Sequence, residues 1–138
     1  MPTVTQTPQQ LAAALAPLAT QIPGLQIYAG FLQNPSPPCI DMYPGEPFQE
    51  GAGFGTRDKR TYWTVRARVQ TTDMDAANQT LLRFLDPSDT ASVEAALAVN
   101  QLATVDSNQG TVSGFRKYAD DNGTDMVGCE WRVGVWTP

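Results

Sequence analysis

The sequence predicts an α+β domain, with helices packed on one face of a mainly antiparallel sheet. Three observations carry this. A strict apolar alternation runs through "TYWTVRARVQ", Thr61 to Gln70. A helical stripe follows it in "MDAANQTLLRFL", and strand-like segments flank Asn122-Gly123, the strongest short-range hairpin signal. The 138 residues suit one domain with one core, and 41% hydrophobic against 17% charged residues places the chain in the ordinary globular class.

The elements follow in order. Thr7 is placed to cap a first helix, with Pro8 at its first position and Gln10 able to close a capping box. Leu11, Leu15 and Leu18 line one face, and Pro17 must kink or tighten the helix because its ring clashes with the preceding turn. Pro23-Gly24 turns the chain into a short strand, Leu25 to Ala29. A long excursion spans Gln33 to Arg60, punctuated by "NPSPP", "YPGEP" and "EGAGFGTRDK", with one short strand, Cys39 to Tyr43, inside it.

In the strand from Thr61 to Gln70, Trp63, Val65, Ala67 and Val69 should face the core. Tyr62, Thr64, Arg66 and Arg68 should face water or a partner chain. Asp73 caps a helix from Met74 to about Leu85, buried through Ala77, Leu81, Phe84 and Leu85. Asp86-Pro87 breaks it, and a shorter helix runs from about Ala91 to Val99. The last strand sets Val127, Cys129, Trp131, Val133 and Val135 on its apolar face. Trp136 takes the opposite parity and is the tryptophan expected at the surface.

Charge is unevenly placed. The net charge of -5 argues against general nucleic-acid binding. No Lys or Arg precedes Arg57, yet five of the nine fall between Arg57 and Arg68: Arg57, Lys59, Arg60, Arg66 and Arg68. This cluster reads either as an anion-binding patch or as pairing with the excess acids, within or between chains. Gly51, Gly53 and Gly55 precede it and resemble a phosphate-cradling loop, but every template fails. Lys59 stands four residues past Gly55 with no helix after it, which excludes a Walker loop. The glycine spacing is one residue short of the dinucleotide fingerprint. The glycines read as backbone freedom in a mobile loop.

Other chemistry is equally unadvertised. With no histidine, a Ser-His-Asp arrangement is impossible. Asp120, Asp121 and Asp125 lack the spacing and the closing Glu of a calcium loop. Cys39 and Cys129 have no metal spacing and read as buried free thiols of a reducing compartment. No enzyme activity, cofactor or metal is expected. "LAAALAPLA" has no basic residue before it and is too short to span a membrane, so the expectation is a soluble protein retained in the cytoplasm.

Taken in order, "LAAALAPLATQIPGLQIYAG", the Pro-rich excursion, "GFGTRDKRTYWTVRARV", "DMDAANQTLLRFLDPSDTASVEAALA" and "GCEWRVGVW" resemble the tail terminator proteins of long-tailed bacteriophages, especially those infecting actinobacteria. The most specific part is "LLRFLDPSDTASVEAAL", Leu81 to Leu97, supported by "IPGL", Ile22 to Leu25. The resemblance spans nearly the whole chain and rests on structural motifs. It implies an α+β subunit that assembles in the host cytoplasm into a virion ring, usually a hexamer, on the tail tube. Such a ring ends tube polymerisation and offers the head connector a docking surface. DNA passes through its lumen, where a negative charge avoids gripping phosphates.

The implied partners are further copies of the chain, the tail tube protein and the head connector. The expected contact residues are Gly51, Gly53, Gly55, Arg57, Lys59, Arg60, Arg66 and Arg68 in the excursion and strand, with Asp120, Asp121 and Trp136. The excursion is the element expected to be ordered by neighbours. Another neck component, such as a head–tail joining protein, shares these properties, and a small-ligand-binding or enzymatic α+β domain is the remaining alternative.

Overall fold

The computed structural model of the chain describes residues 2–33, 38–50, 59–70, 72–105, 116–119 and 125–138. Helix α1, Thr7–Leu15, buries Leu11 and Leu15 completely. Its cap is one residue earlier than Thr7. Gln6 takes the N-cap position, and its side-chain oxygen accepts from the Thr3 N–H at 3.0 Å. Thr7 is instead buried, its hydroxyl donating to the Thr3 carbonyl at 2.8 Å. At Pro17 the chain tightens into a 3-10 turn, Ala16–Thr20, which drives Leu18 into the core. Each of these leucines removes enough apolar surface from water to contribute about 1.5–3 kcal/mol. Gly24, at φ 77°, then reverses the chain into strand β1, Gln26–Tyr28.

Among the described residues the sheet has six strands: β1, β2 (Cys39–Glu50), β3 (Lys59–Gln70), β4 (Thr104–Val105), β5 (Arg116–Ala119) and β6 (Asp125–Thr137). Its order is β1-β2-β3-β6-β4, with β5 also pairing β6. β1 and β2 are parallel, and every other pairing is antiparallel. The pairing of Ala119 with Asp125 makes β5 and β6 the two arms predicted around Asn-Gly; the turn itself lies outside the described residues.

β2 corrects the sequence reading. The strand does not stop at Tyr43 but continues to Glu50, crossing an irregularity between Pro44 and Gln49 before pairing again with β3. β1 reaches only Cys39 to Asp41, so the second half of β2 is an edge. An edge strand tolerates Pro44 and Pro47, whose missing N–H groups break no ladder on the open side.

Helix α2, Met74–Leu85, starts where Asp73 accepts from the Ala76 N–H at 3.1 Å. Helix α3 is shorter than expected, Val93–Leu97, because Ser92 caps it and Asn100 and Gln101 leave the helical region at φ 56°. Between the helices a polar network builds the corner. Ser88 donates through its N–H and hydroxyl to Asp86 at 2.9 and 2.7 Å. Asp89 accepts from the Ala91 N–H at 2.8 Å and from Arg83 Nε at 3.1 Å. The segment "LRFLDPSDTASVEAAL" therefore acts as a rigid elbow.

One hydrophobic cluster joins the helices to the sheet, with Leu11, Leu81, Phe84 and Leu97 against Ile40, Val65, Trp131 and Val133. Among the described residues the helices pack on the face that carries Trp63, Val65, Ala67 and Val69. No helix among the described residues is long and apolar enough to cross a membrane.

Candidate functional site

The face of the sheet turned away from the helices carries the arginines. Pairing places Arg60 opposite Trp136, Tyr62 opposite Gly134, Thr64 opposite Arg132, Arg66 opposite Glu130 and Arg68 opposite Gly128. From β2, Asp41 pairs with Arg66 and Cys39 with Arg68. Alternation thus brings four guanidinium groups onto one surface.

This face is not the open polar surface expected from the sequence. Asp41 is 0% exposed, Arg66 8% and Arg68 4%, and Tyr62 is buried as well. Arg66 makes a two-point bond to Asp41, Nε to Oδ1 at 3.0 Å and Nη2 to Oδ2 at 2.6 Å. Arg68 Nη2 lies 3.2 Å from Asp41 Oδ2 and donates to the Leu32 carbonyl at 3.0 Å. The Leu32 N–H completes the carboxylate shell at 3.0 Å. Arg66 also lies 5.0 Å from the Phe31 ring centre and 5.2 Å from that of Tyr43. These two arginines are bound within the chain, because both contact a carboxylate on β2, Asp41, before any partner arrives. Burial, with Glu130 next, raises the Tyr43 hydroxyl above its usual value.

Arg60 is different. Its guanidinium lies 5.5 Å from the Tyr62 ring centre and 5.7 Å from that of Trp136. It occupies the space above Gly134, where a Cβ would come within 2.5 Å of Nε and Nη2. Arg132 caps the other side of the stack, 3.6 Å from the Tyr62 centre. Trp136 stays 45% exposed, as its parity predicts.

A scan against models of known protein families matches none, and neither does a search of curated proteins. The geometry therefore has to carry the reading.

Trp136 also borders a groove of about 770 Å³ between α1 and the 3-10 turn Val99–Gln101. Its lining is neutral: side-chain amides from Gln6, Gln10, Asn100 and Gln101, and apolar groups from Ala13, Pro17, Val99 and Leu102. The consecutive left-handed residues Asn100 and Gln101 shape one wall, a conformation that costs about 1–3 kcal/mol per residue and concentrates at functional sites.

Of the contact residues expected from the sequence, the structure brings Arg60 and Trp136 together. Lys59 is exposed at the start of β3, its carbonyl accepting from the Thr137 hydroxyl at 3.3 Å. Arg66 and Arg68 lie six and eight residues farther along β3, about 20 Å and more from Arg60. Gly51, Gly53, Gly55, Arg57, Asp120 and Asp121 lie outside the described residues.

Sequence reasoning missed Asp41, although an acid between Ile40 and Met42 in a strand is a readable sign of a buried partner. It also missed the groove, which arises where a helix, a turn and a strand end meet. Cys39 and Cys129 are free thiols held in their neutral form by burial, Cys129 up to about 12. Among the described residues no group of three or more His, Cys, Asp or Glu could hold a metal ion.

Proposed function

We propose that this chain is a structural virion subunit of the tail terminator type, forming a ring at the head-proximal end of a phage tail tube. In this reading it ends tube polymerisation and gives the head connector its docking surface. It works by contact with copies of itself and with tube and connector proteins, without catalysis, and DNA passes through the ring unbound.

The observation that carries the reading is the Trp136–Arg60–Tyr62 stack beside a neutral groove. A half-exposed tryptophan joined to an arginine that a buried tyrosine preorients is the composition of a protein–protein contact. The segment with the most specific resemblance, Leu81 to Leu97, supports it in a second way. Its polar side chains Arg83, Asp86, Ser88, Asp89 and Ser92 are spent on capping and bracing the helical elbow.

Native mass spectrometry of the purified protein, with electron microscopy of the same sample, tests the assembly. A closed ring is expected. A monomer at high concentration whose melting temperature shifts with nucleotides would instead establish a ligand-binding domain. Deleting the gene separates the neck roles: tubes of uncontrolled length are expected, whereas normal-length but unattached tails would make this a joining protein.

A further inference from the structure

We propose that the groove beside Trp136 receives helix α2 of a second copy of this chain, with Leu82 inserted against Trp136 and Val99 and a carboxylate of α2 paired with Arg60. The inference rests on the ring reading above and names the two surfaces that meet.

The receiving side is built for a partner with one apolar knob and negative flanks. Val99 is 57% exposed on one wall of the groove and Trp136 is open on another. No charged residue lines the groove, so an apolar side chain can enter without stranding an ion. Arg60 is not part of the lining but lies 5.7 Å from the ring centre of Trp136, which is. Among the described residues no carboxylate pairs with Arg60, and its Nε is buried without a hydrogen-bond partner. The missing Cβ of Gly134 and the two rings hold the guanidinium fork in place, which lowers the entropy lost on binding a carboxylate.

The inserting side is the outer face of α2. Its core stripe is Ala77, Leu81 and Phe84. On the opposite side Asp75, Gln79, Leu82 and Asp86 follow at i, i+4, i+7 and i+11, one line along the helix. Leu82 is 50% exposed and is the apolar member of that line, with the exposed Asp75 carboxylate on α2 before it and Asp86, which caps the helix end and accepts from Ser88, after it. Arg83, the one nearby cation, is drawn back to Asp89, leaving the line negative. A Leu knob with acidic flanks matches a neutral groove with a cation beside its tryptophan.

The two surfaces also differ, as a ring requires. α3 packs against both α1 and α2, so the groove on α1 and the exposed Leu82 of α2 belong to helices that α3 joins. α2 contributes no residue to the lining of its own subunit's groove. Joining these two surfaces of successive copies is a heterologous contact, the type that closes into a ring when its rotation allows. Single-stranded nucleic acid, the rival occupant for an aromatic beside an arginine, fits less well. The groove lining offers it no cation, and the chain is net negative.

The lead variant is Leu82→Arg, a surface change that leaves the helix propensity and the core intact. Association measured by native mass spectrometry and sedimentation should weaken by about tenfold or more, the scale of a contact hot spot. In parallel, a chain carrying Leu82→Cys and Val99→Cys should form a ladder of disulfide-linked multimers on oxidation. The native thiols are buried and stay out of the reaction. A ring that persists in Leu82→Arg, or a double-cysteine ring without inter-copy crosslinks, overturns the proposal while leaving the ring reading standing. A wild-type chain that never self-associates refutes the ring reading itself. Quenching of Trp136 fluorescence by oligo-dT that is equal in wild type and Leu82→Arg would assign the groove to nucleic acid and also overturn it.

Discussion

Replacing Asp41 with asparagine leaves two buried guanidinium groups without the charge that now holds them. The carboxylate takes two bonds from Arg66, a contact from Arg68 at 3.2 Å and the Leu32 N–H. All three ionic groups are almost wholly out of water. Breaking a buried pair from one side costs about 3–5 kcal/mol, because the orphaned charge keeps its desolvation penalty. Asparagine retains the shape and one acceptor oxygen, which places it near 3 kcal/mol, whereas alanine should reach about 5. Against a total stability of about 5–15 kcal/mol, either is a large fraction.

Urea unfolding followed by tryptophan emission measures the change, since Trp63 and Trp131 are buried in the core that melts. The midpoint should fall with an unchanged slope. Replacing Asp41, Arg66 and Arg68 together by leucine should recover much of the loss, because neither guanidinium then remains buried without the Asp41 carboxylate. A loss below about 1 kcal/mol for Asp41→Asn would refute the reasoning and show that water or another group already neutralises the arginines.

Two further predictions concern stability. Gly134→Ala forces a methyl group into the space of the Arg60 guanidinium and should cost about 1–3 kcal/mol, with a shift in Trp136 emission as the stack is displaced. The Cys129 thiol, raised by burial from 9.0 to about 12, keeps its proton in the folded state where the unfolded chain loses it. Cys129 should therefore take about 1.4 kcal/mol of stability per pH unit between those values, a contribution missing in Cys129→Ala, where Cys39 and Tyr43 still act in the same direction, and the native thiol should resist alkylation at pH 8.

Much of the fold was legible because periodicity and capping agree locally. The alternation of Trp63, Val65, Ala67 and Val69 placed β3 and its buried face, and Asp73 marked the start of α2 to the residue. Other elements were hidden for identifiable reasons. Pro44 and Pro47 erased the strand signal of the second half of β2, which only its edge position permits. Arg66 and Arg68 looked like a solvent face because the residue that binds them is remote in sequence, and alternation alone cannot show which strand lies alongside. The candidate contact was half legible. Parity identified Trp136 as exposed, but its union with Arg60 depends on the β3–β6 register, and the groove depends on two left-handed residues that no turn motif announces.

The position of β6 has a consequence for how the protein is made. This strand follows β3 by more than fifty residues, yet it lies inside the sheet, joined to β3 along its length and to β4 and β5 on its other side. Until β6 has left the ribosome, β3 presents an unpaired edge that carries Trp63, Val65 and Val69, a template for the wrong partner. Folding must wait for pairings across more than fifty residues of chain, which makes it slow compared with a helical protein of the same size. The proposed assembly would be tied to completion of this strand, since the end of β6 also supplies Trp136. A subunit interrupted before that point lacks both a closed sheet and the aromatic with which it would meet its neighbour.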